Sequence, residues 1–122
     1  MKTALAAMAL SSVIQTAALP QAYKDPHNMM TGMEVAEKIL TPPQPGADFV
    51  ERDIAHAYVN GIKDATQGVS WCFNSAIVPH ELNIEIVSAM RKARTEEELK
   101  GNAAPLLLAE LRKRYPCKRG RA

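Results

Sequence analysis

Apolar and polar positions along the 122 residues follow a helical rhythm broken by proline and glycine. Residues 29–40 (MMTGMEVAEKIL) place Met29, Met33, Ala36 and Leu40 on one helical face, in spite of Gly32. The TPPQPG run at 41–46 stops that helix. From Asp48 onward, Val50, Ile54, Ala57, Tyr58, Gly61, Ile62 and Ala65 form a continuous stripe, with Glu51, Arg52, Asp53, Asn60, Lys63 and Asp64 mostly opposite. Gly61 in mid-helix costs about 1 kcal/mol relative to alanine, so another backbone or a bulky side chain is expected to pack closely there.

Residues 68–78 read as a loop that holds Trp71 and Cys72. Pro79 suits the first turn of a helix running to about Ala93, with Leu82, Ile86, Val87 and Met90 inward. Thr95 with Glu98 makes a capping box, and Glu96 and Glu97 favour the same helix start through the helix dipole. Asn102 and Pro105 interrupt the pattern before a last helix, 103–115, that buries Leu107, Leu108 and Leu111 and ends at Pro116. No stretch of four or more residues alternates as a strand does, and no internal repeat is visible. The expected fold is all-α, a small bundle of about four or five helices.

The first 22 residues stand apart from this pattern. Met1 and Lys2 precede an uncharged run, ALAAMALSSVIQTAAL, that ends in small residues, the layout of a secretory signal peptide. Cleavage is expected after Ala18 or after Ala22. A membrane span needs ~20 mostly apolar residues, and this run is shorter and broken by Ser11, Ser12, Gln15 and Thr16. No cysteine follows either cleavage point, which argues against a lipid anchor. The expected organisation is a signal peptide at 1–22, a helical domain at 23–117 and a basic tail at 118–122.

Composition narrows the function classes. The formal charge is +2, and without Lys2 the balance is 14 positive against 13 negative residues. Six of the 14 (Arg112, Lys113, Arg114, Lys118, Arg119, Arg121) follow Leu111, where no acid occurs, so the body before them holds 8 positive against 13 negative charges. A near-neutral chain with an acidic body and few aromatics beside its basic end is not a nucleic-acid binder. Two cysteines in an exported chain pair in an oxidising compartment. A disulfide between Cys72 and Cys117 would close a loop of about 45 residues. A nucleophilic Cys72 would instead need an adjacent base and would leave Cys117 without a role.

Catalytic candidates are few. His27 lies in the lead-in to the first helix, and Asp53 and His56 are one helical turn apart, but two ligands do not make a metal site. His80-Glu81 begins like a zinc-protease helix, yet the second histidine position holds Ile84. Phosphate loops and serine elbows are absent from the sequence. Neither an enzyme nor a cofactor-dependent protein is expected.

The run Tyr58-Val59-Asn60-Gly61-Ile62-Lys63-Asp64-Ala65, the pair Trp71-Cys72, and the leucine-rich helix closing on Tyr115-Pro116-Cys117 together resemble the Rap/Tai family. These are small periplasmic immunity proteins that neutralise peptidoglycan amidase effectors of type VI secretion. The resemblance spans about residues 53–117. It implies a helical domain that binds a cognate amidase, with a homodimer as a further expectation. On the residue reading, Tyr58, Gly61, Ile62, Asp64, Trp71 and Pro116 are framework positions rather than a binding site. The sequence departs from the family at 39–41 and at Ala55, where many members carry a second cysteine pair, so the first helix is expected to be held by packing alone.

Two function classes follow. An immunity protein would cover the cleft of an amidase with exposed loops and helix ends, for which the 94–102 region (above all Glu96, Glu97 and Lys100) and the 66–71 loop are the candidates. The alternative is a periplasmic stress chaperone, or another exported helical binding protein, using Met29, Met30 and Met33 as adaptable apolar contacts.

Overall fold

Thr31 opens the first helix of the computed structural model, in which residues 30–73 and 77–118 are described. Its hydroxyl accepts from the Glu34 N–H at 3.1 Å, and the Glu34 carboxylate accepts the Thr31 N–H at 2.8 Å. This reciprocal box starts helix α1 at Gly32–Leu40, three residues later than apolar periodicity predicts. The inward face changes with it. Val35, Ala36 and Ile39 are buried, whereas Met33 and Leu40 only flank the core, and Met29 lies outside the described residues.

Four further helices follow: α2 at Val50–Thr66, α3 at Pro79–Ala93, α4 at Glu96–Leu99 and α5 at Ala103–Arg114. The all-α expectation holds, since strand-like pairing among the described residues is confined to isolated bridges, Thr31 with Asn102 and Gln67 with Trp71. Prolines sit where helices tolerate them. Pro79 is in the first turn of α3, and Pro105 occupies the first turn of α5, where the missing N–H would have lacked an intrahelical partner.

Helix α1 is the centre of the bundle and packs against each of the other four. Val35 and Ile39 meet Val59 of α2, Ile86, Val87 and Met90 of α3, and Leu107 and Leu111 of α5 in one core cluster. Burying each such side chain stabilises the fold by roughly 1.5–3 kcal/mol before entropy is charged. Packing is not all that holds α1, contrary to expectation. The Gly32 N–H donates to the Gly101 carbonyl at 3.0 Å, and the Ala103 N–H donates to the Met30 carbonyl at 2.9 Å. These two bonds stitch the start of α1 to the α4–α5 junction in place of a covalent link.

The face of α2 also differs from its apolar stripe. Ala55, His56, Val59 and Lys63 are buried, Tyr58 and Ile62 are half-buried, and Val50, Ile54, Ala57, Gly61 and Ala65 face solvent. The inward face is therefore rotated by about one residue, because polar groups of α2 find partners on α3 and so become buriable. Gly61 carries no close packing: a Cβ there would meet nothing within 4 Å. Gly32 is the packed glycine instead, where a Cβ would lie 3.1 Å from both Leu99 Cδ2 and Leu106 Cδ1.

Cys72 and Cys117 form the disulfide, with Cα atoms 4.6 Å apart, and no free cysteine remains among the described residues. The Cys72 N–H donates to the Tyr115 carbonyl at 2.8 Å beside it. Trp71 lies behind the bridge at 1% exposure, its indole N–H donating to Thr66 Oγ1 at 2.8 Å and its ring edge-on to Phe73.

Candidate functional site

A polar seam runs between α2 and α3. The His56 and His80 rings stack with centroids 4.2 Å apart. The Asn83 amide donates both to His56 Nδ1 at 3.1 Å and to Asn60 Oδ1 at 2.9 Å. An imidazole that accepts at Nδ1 carries its proton on Nε2, and that buried N–H has no partner among the described residues. Burial, reinforced by the charges of His80, Arg52 and Lys63 and opposed by Asp53, holds the His56 pKa below its ordinary value. His56 thus turns to α3 rather than pairing with Asp53, which is exposed. No group of three or more His, Cys, Asp or Glu side chains among the described residues could hold a metal ion.

At the end of this seam the surface opens into a cavity of about 410 Å³, within the size range of small-ligand clefts. Asn60, Lys63, Asp64 and Gln67 line it from the end of α2, Trp71 and Phe73 from the following loop, and Ile77, Pro79 and Leu82 from the start of α3. Lys63 is only 6% exposed, and its ammonium donates to the Pro79 carbonyl at 3.1 Å. Burial pushes its pKa down, with Asp64 opposing. The apolar pattern puts Asn60 and Lys63 on the solvent side, which holds for Asn60 and fails for Lys63, and it gives no sign of this cavity. The only advance signal was a lysine one position from an apolar stripe, which is too common to single out.

The candidates named from sequence fall elsewhere. Glu96, Glu97 and Lys100 are exposed on and beside α4, with Lys100 paired to Glu97 at 2.9 Å. Thr95 caps α4 by accepting the Glu98 N–H at 3.2 Å, and Glu98 also pairs with Arg94 at 3.3 Å. The 66–71 loop is a tight turn in which Gly68, at φ +80°, donates to the Trp71 carbonyl at 2.7 Å and Val69 stands 81% exposed. Arg112 reaches across from α5 to Ser70 at 3.3 Å. The α4 group therefore lies at the start of α5 and the loop at its end, about 18 Å apart at 1.5 Å per residue.

The framework positions sort similarly. The Tyr58 hydroxyl donates to Asn102 Oδ1 at 3.1 Å, Ile62 flanks the core, and Pro116 is exposed just past α5. Asp64 is exposed at the cavity rim. The basic end is partly tied down, since Arg114 and the Tyr115 hydroxyl both engage Glu85 of α3. Of the tail, only Lys118 falls within the described residues, and the 1–22 segment and His27 lie outside them. Met30 and Met33 pack half-buried against the core, and Met29 lies outside the described residues.

Among the described residues, no helix is long and apolar enough to cross a membrane. No curated protein matches the chain. A profile of the Rap1a immunity proteins, however, matches residues 31–117. That span begins at the Thr31 cap of α1 and ends at the second disulfide cysteine, so it takes in all five helices and the staple, and the chain belongs to the Rap1a immunity protein family.

Proposed function

We propose that the protein is an exported immunity protein that binds a peptidoglycan amidase effector of type VI secretion and blocks it by covering its substrate cleft. The observation that carries this reading is the family match over 31–117. The signal-like sequence at 1–22 supports the periplasm as its location. That compartment is where an amidase of this kind would act, and where a Cys72–Cys117 bridge stays oxidised.

Blocking rather than chemistry suits the residues. Both cysteines are consumed in the bridge, so no thiol nucleophile is left among the described residues. Contact with the effector is assigned to exposed segments, either Glu96, Glu97 and Lys100 beside α4 or the 66–71 loop with Val69 at its tip. Exposed Phe49, Val50 and Ile54 at the start of α2 add apolar area of the kind protein contacts use. Homodimer formation belongs to the same reading, and sedimentation of the purified protein measures it.

The test is direct. The mature protein is mixed with the amidase encoded beside its gene, and binding and peptidoglycan cleavage are measured. Stoichiometric inhibition is expected; failure to bind or to inhibit overturns the reading. Charge reversal at Glu96 and Glu97, and separately Val69→Asp, then decides which segment makes the contact.

A further inference from the structure

We propose that the cavity between α2, α3 and the 67–73 loop receives a carboxylate side chain with an apolar neighbour, carried on a loop of the partner protein. The identity of that partner rests on the immunity reading above, whereas the chemistry of the cavity stands on its own residues.

Lys63 sets the charge. A lysine ammonium has three donors, yet among the described residues that of Lys63, a residue 6% exposed, makes a single hydrogen bond, to the Pro79 carbonyl at 3.1 Å. Among the described residues no carboxylate forms an ion pair with it. Withdrawing an ammonium from water without a counterion is costly, and burial accordingly pushes its pKa down. A carboxylate entering the cavity would supply the missing partner.

A second feature converges on the same space. Helix α3 begins at Pro79 on the cavity wall, and its N-cap, Val78, provides no side-chain cap. Pro79 itself has no N–H to offer and Glu81 already stands in the first turn, so what the helix adds at the cavity wall is the positive end of its dipole, which favours an anion. The remaining lining sets the neighbour. Phe73, Ile77 and Leu82 form an apolar wall, and the Asn60 and Gln67 amides can hold a peptide backbone. Asp64 at the rim is exposed and opposes an incoming anion, which makes it a useful control.

Three probes test the site on the mature protein by titration, followed through the Trp71 indole N–H and the Asn60 and Lys63 amides in nitrogen-15 NMR spectra. They are N-acetyl-Glu-Leu-amide, its Gln-Leu counterpart and inorganic phosphate. Saturable shifts are expected with the glutamate peptide, and binding at least about tenfold weaker with glutamine, because charge-assisted hydrogen bonds are lost. Lys63→Met, which keeps the stem and removes the charge, abolishes the difference between the two peptides. Asp64→Asn tightens glutamate binding by about two- to fivefold, the reach of an exposed charge, and decides the matter if the Lys63 variant does not fold.

Equal binding of both peptides, no shift with either, or phosphate binding as tight as the glutamate peptide overturns the proposal; the last would mark a small-anion site only. The functional reading fails separately. An amidase that does not bind leaves these titrations intact, and an amidase bound equally by wild type and Lys63→Met overturns the cavity as its docking point while leaving immunity standing.

Discussion

The Tyr58 hydroxyl donates to Asn102 Oδ1 at 3.1 Å, joining residues 44 positions apart. The same oxygen caps α5 by accepting the Ala104 N–H at 3.3 Å, and Asn102 bridges to Thr31 at the start of α1. The Asn102 side chain thus ties α2 to α5, while its backbone neighbours tie α5 to α1. Desolvation accordingly raises the Tyr58 pKa. Tyr58→Phe removes one half-buried hydrogen bond and is expected to cost about 1 kcal/mol. Asn102→Ala loses that bond and the cap as well, about 2 kcal/mol. Thermal unfolding measures both, and equal losses would mean the cap contributes nothing beyond the tyrosine bond.

The staple should dominate stability. Cys72 and Cys117 are separated by 45 positions, and the chain-entropy estimate for such a closure is about 4 kcal/mol. The protein with both cysteines replaced by alanine should unfold at a correspondingly lower denaturant concentration, and reductant should lower the wild-type midpoint toward it. Thiol titration of the unreduced, denatured protein is expected to find no free cysteine.

Where the sequence was legible, apolar periodicity and burial agreed. Leu82, Ile86, Val87 and Met90 of α3 face inward as their spacing predicts, as do Leu107 and Leu111 of α5. The Thr95 cap and the disulfide were equally readable, because each rests on local chemistry or on compartment. The start of α1 was readable too, since Thr31 and Glu34 spell a capping box, but apolar Met29 and Met30 pulled the boundary outward. On α2 a binary pattern fails for a physical reason. His56 and Lys63 are buried because Asn83, His80 and the Pro79 carbonyl on another helix receive them. Those partners lie 16 to 27 positions further along the chain, beyond the few turns over which a helical pattern is read, so the cavity that Lys63 lines was hidden with them.

The seam predicts a pH dependence with a definite sign. His56 is held below the ordinary histidine value of about 6.5 by burial first, then by His80, Arg52 and Lys63, against Asp53. Between the unfolded value and the lower folded one, the unfolded chain binds more protons, so stability rises with pH. The stability associated with neutral His56 is fully present above about 6.5 and is lost as pH falls toward the folded value. Urea unfolding should give lower stability at pH 5 than at pH 7, and His56→Gln should flatten that difference. An NMR titration placing His56 above 6.5 would contradict the burial argument.

The two helical glycines should respond in opposite directions. Gly61 sits in the interior of α2 with open space where a Cβ would stand, so alanine there should stabilise the protein by roughly 0.5–1 kcal/mol through helix propensity alone. Gly32 has Leu99 Cδ2 and Leu106 Cδ1 at 3.1 Å and the Leu99 carbonyl at 3.3 Å from its added Cβ. The leucine tips can shift, but the carbonyl is backbone, and Gly32→Ala is expected to cost about 1–3 kcal/mol as overpacking does. Thermal unfolding of the two variants checks the signs. A Gly61→Ala protein that is more stable yet binds its effector less tightly would assign that glycine to the contact surface, because the fold itself has no use for the missing side chain.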